Sequence, residues 1–163
     1  MQFANLKKMW MRVANLIGGL LFAALFLVFV AQVTARFGFN MPLMWTDEMA
    51  VILYIWAIMW AAAFMVPERE HVVFDLLYHY ASHRVQRYMR IAGHLIIGGF
   101  SAWALPSSWN YIHFVAREGT PVVGLPLMWV FLPFAFLLVS LIVRGIWQIV
   151  MIMRESTLTE EKQ

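Results

Sequence analysis

The stretch Arg36-Phe37-Gly38-Phe39-Asn40-Met41-Pro42-Leu43-Met44-Trp45-Thr46-Asp47-Glu48 is a polar break between two uncharged apolar runs. Residues 13–35 before it carry no charge, and residues 49–66 after it carry none. Crossing a hydrocarbon core of about 30 Å takes about 20 apolar residues, and both runs are of that order. Inside lipid no water satisfies backbone N–H and C=O groups, so a crossing segment must be helical. The break therefore reads as the connector of a membrane hairpin.

Working outward, two more runs of the same kind follow. Residues 91–116 hold no formal charge, and residues 125–143 hold none before the run continues past Arg144 to Met153. The chain is 63% apolar and 13% charged, against about 45–50% and about 25% for a soluble domain. The expectation is an all-α membrane protein with four transmembrane helices at about 13–35, 47–66, 85–116 and 125–153. These form a single membrane domain over 1–153, followed by a solvated tail at 154–163. The first run is longer than the 7–15 residues of a secretory signal's apolar core, so it is read as an uncleaved anchor helix. With no cysteine in its 163 residues, the chain offers no disulfide, thiolate metal site or thiol chemistry. A net charge of +3 gives no reason to expect nucleic acid.

The basic residues are unevenly placed. Lys7, Lys8 and Arg12 precede the first span; Arg69, Arg84, Arg87 and Arg90 lie between the second and third; Arg144, Arg154 and Lys162 close the chain. Only Arg36 and Arg117 fall on the alternate connectors. By the positive-inside rule both termini lie in the cytoplasm, and connectors 36–48 and 117–124 face the other side. Trp10, Trp45, Trp109, Trp129 and Trp147 fall near predicted span ends, as interfacial aromatic belts do. Between the second and third spans, Val72, Val73, Leu76, Leu77 and Tyr80 recur at helical spacing among polar residues. This predicts a short amphipathic helix over about 71–81 lying in the interface, with Ser82 as a cap for the next helix.

The candidate site residues gather at the connectors. Thr46 reads as the N-cap of the second span, with Asp47 and Glu48 complementing the helix dipole. Arg36 lies across the hairpin from these acids. A structural charge pair, a docking contact and a solvated end are all open readings of that arrangement. Trp56, Trp60 and Phe64 form a stripe beside Ala57 and Ala61, a face suited to close helix packing. Pro106 and Pro133 each remove a backbone donor inside a helix and bend it.

Three function classes are weighed. No Asp, Glu or Lys lies in the middle of a span, which speaks against a stand-alone ion-coupled or multidrug carrier. An autonomous four-helix redox protein binding haem or quinone needs ligands at matched depth on facing helices. His94 and His113 share one helix, about 28 Å apart at 1.5 Å per residue. What remains is a subunit that supports other chains.

Three motifs in register sharpen that reading: Arg36-Phe37-Gly38-Phe39 with Trp45-Thr46-Asp47-Glu48 leading into a helix bearing Trp56; His71-Val72-Val73-Phe74-Asp75 after that helix; and Pro121-Val122-Val123-Gly124-Leu125-Pro126-Leu127 followed by Pro133. Over about residues 12–153 the chain resembles the small, DctQ-type membrane subunit of tripartite ATP-independent periplasmic (TRAP) transporters. The resemblance implies a non-catalytic permease subunit in the bacterial inner membrane with no cofactor. Its implied partners are a large elevator-type membrane subunit and a periplasmic substrate-binding protein. The implied activity is sodium-driven uptake of an organic acid such as a dicarboxylate, a sialic acid or another sugar acid. Arg36, Asp47 and Glu48 become candidates for docking the binding protein or pairing across the hairpin. Trp45, Trp56, Trp60, His71, Asp75, Gly124, Pro126 and Pro133 become candidates for structural or partner-packing roles.

Overall fold

The structure, a computed structural model, describes the backbone of residues 2–65 and 83–160 and the side chains of residues 8–65 and 85–154. Among them are four long helices: α1 (Gln2–Val33), α2 (Met44–Trp60), α3 (His83–Phe114) and α4 (Leu127–Glu160). π-helical turns extend α1 over Thr34–Gly38 and α2 over Ala61–Met65, and a 3₁₀ turn, Val115–Arg117, ends α3. The all-helical expectation holds. Three segments, Lys8–Gly38, Met44–Met65 and Leu127–Arg154, are long and apolar enough to cross a membrane. With 32 residues α3 matches α1 in length, but Arg87, Arg90, His94, Ser101, Ser107, Ser108 and Asn110 dilute its apolar run.

The boundaries differ from the sequence reading in three places. At its start α2 begins at Met44, not at residue 47, so Thr46 lies inside the first turn. Its hydroxyl donates back to the Leu43 carbonyl at 2.6 Å, and the residue is wholly buried. Thr46 therefore seals the turn that follows Pro42 rather than capping the helix. At the far end, α4 runs to Glu160, well past residue 153, because no Gly or Pro follows Gly145 to stop it. At the other terminus, α1 starts at Gln2 for the same reason. The expected helix over 71–81, with His71, Asp75 and the Ser82 cap, lies outside the described residues.

The chain divides into two compact parts. The first joins Met1–Met65 to Ser108–Leu137. Here α1 and α2 pack as the expected hairpin. The connector between them closes on one carbonyl: Phe39 and Met41 N–H groups both donate to Ala35 O, at 3.3 and 3.0 Å. This is a left-handed C-terminal closure widened by the π turn, and Asn40 supplies the positive φ of 52° that asparagine tolerates. At the other end of the hairpin Trp10 meets Phe64 edge-on at 5.9 Å. Tyr111 and Phe131 pack edge-on at 5.6 Å, and Ile112, Val115, Val130 and Ala135 are buried.

The second part holds the described residues of Val66–Ser107 and Leu138–Gln163. Its two helical segments touch backbone to backbone at Gly98 and Gly145. A Cβ on Gly145 would stand 3.3 Å from the His94 carbonyl oxygen and 3.6 Å from the Gly98 Cα. Nearby Ser101, buried, returns its hydroxyl to the Ile97 carbonyl at 2.7 Å, which satisfies it within its own helix.

Candidate functional site

The chemistry-bearing side chains meet where the start of α2 faces the connector ahead of α4. That connector is a tight hairpin. Gly119 and Pro126 form an antiparallel bridge. Leu127 N–H donates to Glu118 O at 2.9 Å, Thr120 N–H to Leu125 O at 2.8 Å, and Gly124 N–H to Thr120 O at 3.1 Å. Leu125 N–H donates to the Thr120 hydroxyl oxygen at 3.0 Å. Gly124 adopts φ +72°, a conformation that costs a residue with a Cβ about 1–2 kcal/mol. Pro126 leads into α4, and its carbonyl accepts Trp129 N–H at 3.0 Å.

These bonds leave the amides of Val122 and Val123 at the tip unspent, and both converge on Glu48. Val122 N–H donates to Oε2 at 2.7 Å; Val123 N–H donates to Oε1 at 3.2 Å and Oε2 at 3.4 Å. The Thr120 side chain also hydrogen-bonds this carboxylate. A charged acceptor with two backbone donors is among the stronger hydrogen-bonded arrangements a protein makes. Asp47 instead takes a hydrogen bond from the Gln32 side-chain amide of α1. Arg36 is exposed, its guanidinium 5.9 Å from the centroid of the Phe37 ring. The structure thus gives both acids partners other than Arg36.

The tryptophan stripe resolves into two hydrogen bonds pointing opposite ways. Trp60 Nε1–H donates to the Ala14 carbonyl of α1 at 3.0 Å, where Gly18, one turn on, has no side chain in the way. Trp56 Nε1–H donates to the Trp129 carbonyl of α4 at 3.0 Å. That carbonyl would ordinarily accept from the amide four residues on, but residue 133 is proline and has none. Pro133 is fully buried, and Trp56 also packs edge-on against Phe136 at 6.4 Å. Trp45 is half-exposed at the start of α2. Beside this network, Gly18, Phe22, Leu25, Tyr54, Ala57 and Ile58 line an apolar crevice of about 490 Å³ between α1 and α2.

Sequence reasoning missed Gln32 and the amides of Val122 and Val123. Gln32 is one of two amide side chains in the first run, which was its signal. Thr120-Pro121-Val122-Val123-Gly124 carries the Pro and Gly of a turn, but no local pattern names a partner 74 residues away.

Comparison of the sequence with known proteins identifies a family. The sequence model described as the DctQ component of tripartite ATP-independent periplasmic transporters matches residues 25–155. The sialic acid TRAP transporter permease protein SiaT of Haemophilus influenzae is 28% identical over 97 residues, 60% of this chain and 15% of that protein. The C4-dicarboxylate TRAP transporter small permease protein DctQ of Vibrio cholerae is 30% identical over 90 residues, 55% of this chain and 39% of that protein. The matched segment is therefore less than half the length of either relative. Since the family match takes in most of the chain, including the α1–α2 hairpin turn, the Glu48-bound loop and the Trp56–Pro133 contact, the protein belongs to the DctQ-component family of TRAP transporters.

Proposed function

We propose that this chain is the non-catalytic small permease subunit of a sodium-driven TRAP transporter that takes up an organic acid across the bacterial inner membrane. The observation that carries the reading is the match of residues 25–155 to the DctQ component of these transporters. In this reading a large membrane subunit of the elevator type holds the sodium and substrate sites. The absence of Asp, Glu or Lys from the middle of every apolar run supports a scaffolding role beside that subunit. The names of the two relatives, for sialic acid and C4-dicarboxylate, support an organic-acid cargo.

In this reading α3 is the third of four spans and both termini are cytoplasmic, which the distribution of lysine and arginine supports. The connectors containing Arg36 and Arg117 then face the periplasm, where Arg36 contributes to docking the substrate-binding protein. Exposed aromatics of α1 and α3, such as Phe22, Phe26, Phe100 and Trp103, face lipid or the large subunit.

The test is co-purification with a large TRAP membrane subunit from the same organism, then sodium-driven uptake in proteoliposomes with the binding protein added. A stable complex whose uptake requires this chain is the expected result. Purification of the chain alone with a haem or quinone spectrum and no membrane partner would overturn the proposal.

A further inference from the structure

The geometry points to Glu48 as a positioning residue that holds the 118–127 loop in the shape the periplasmic binding protein docks on. The inference rests on the proposed function for its partner and on the structure for its mechanism. The Glu48 carboxylate is directed at this chain's own loop. Both oxygens face the loop, at 2.7 Å from Val122 N and at 3.2 and 3.4 Å from Val123 N. With those amides turned in, the valine side chains are turned out: Val122 is 51% exposed and Val123 39%. The tip is thus an apolar pair presented by a hairpin whose two tip amides are held by Glu48.

The loop finds the acceptor for its two tip donors outside itself, on α2. Its carbonyl and hydroxyl acceptors at Glu118, Thr120 and Leu125 are already taken by Leu127, Thr120, Gly124 and Leu125. Pro121 has no donor, and Gly119 and Gly124 touch so closely that a Cβ on Gly119 would stand 3.3 Å from the Gly124 carbonyl oxygen. One carboxylate from α2 therefore decides whether the tip is ordered. By the charge distribution this loop and the 36–48 connector face the same side of the membrane, and Glu48 joins them into one surface. A soluble protein arriving from that side meets the exposed Val122 and Val123. A carboxylate held by backbone amides, acting at one remove, sets the geometry of that encounter.

The experiment uses the full complex with the large subunit in lipid nanodiscs, carrying wild-type chain, Glu48→Gln or Glu48→Ala. Two quantities are read: amide hydrogen exchange of the peptide covering 118–127, and affinity for the purified binding protein. Losing hydrogen bonds to a charged acceptor should speed exchange of that peptide about tenfold. In the same complexes Glu48→Ala should weaken docking about tenfold while the ratio of the two membrane subunits stays at the wild-type value, and Glu48→Gln, which keeps one acceptor oxygen, should fall between. Unchanged exchange in Glu48→Ala overturns the clamp. Faster exchange with unchanged docking overturns the positioning role and leaves the proposed function standing. A wild-type complex that assembles but does not bind the binding protein overturns the docking reading itself, a result the exchange data separate from failure of the clamp.

Discussion

Pro133 removes one backbone donor from α4, and the indole of Trp56 replaces it on the Trp129 carbonyl at 3.0 Å. The two residues should therefore be coupled. Trp56→Phe keeps the ring and loses the donor. Polar contacts between membrane helices are worth about 0.6 kcal/mol on average and up to about 1.7, so this change should cost about 1 kcal/mol. In a Pro133→Ala background the helix supplies its own amide to Trp129, and Trp56→Phe should then cost clearly less. A double-mutant cycle on thermal unfolding of the purified protein reads the difference, and equal costs in both backgrounds would refute the pairing. At the loop, Gly124→Ala should cost about 1–2 kcal/mol for its positive φ, with Gly124→Asn milder; exchange in the 118–127 peptide reports both. Of these features, the proline inside α4 was legible in the sequence and so was the Trp56–Trp60 stripe. Their meaning was not, because the stripe's two indoles serve different helices and a periodicity carries no direction. Thr46 misled for a related reason. Its hydroxyl can satisfy an amide ahead of it or a carbonyl behind it, and burial against the Leu43 turn selected the second.

Helices approach only as closely as their smallest facing residues allow. The Gly98–Gly145 contact places the His94 carbonyl where a side chain on residue 145 would go, and a backbone oxygen cannot rotate away as a side chain can. Gly145→Val should cost about 1–3 kcal/mol through overpacking. Gly99→Ala, whose new Cβ would meet nothing within 4 Å, should be neutral or slightly stabilising because it lowers the freedom of the unfolded chain. Thermal shifts of the isolated chain in detergent separate the two. At this scale the four helices could be read from the apolar runs, since lipid leaves a long apolar segment little alternative to helix. Their ends could not be read so well. A helix can continue beyond its apolar run, as α4 does to Glu160, and hydropathy reports the extent of the apolar run rather than of the helix. The Gly98–Gly145 crossing was also out of reach, because small residues mark a possible contact without naming its other half.

For the whole molecule, the charge pattern makes a claim about sidedness that this chain is well suited to test. It contains no cysteine, so single cysteines report position without background. Glu118→Cys should react with a membrane-impermeant maleimide added to intact spheroplasts, and Arg154→Cys only after permeabilisation; labelling of both from outside would refute the orientation. Two of the three motifs that carried the family resemblance lie at described turns, around Asn40 and Gly124, where backbone geometry restricts the choice of residue more than a lipid-facing surface does. The Trp56–Trp129 contact has one more consequence, for biogenesis. The two residues are 73 positions apart, so α2 has left the ribosome and entered the bilayer well before α4 is translated. The carbonyl orphaned by Pro133 thus arrives at a donor already in place. A circular permutant that synthesised α4 first would leave that carbonyl without its indole donor until α2 followed, an interval that the natural order of translation shortens.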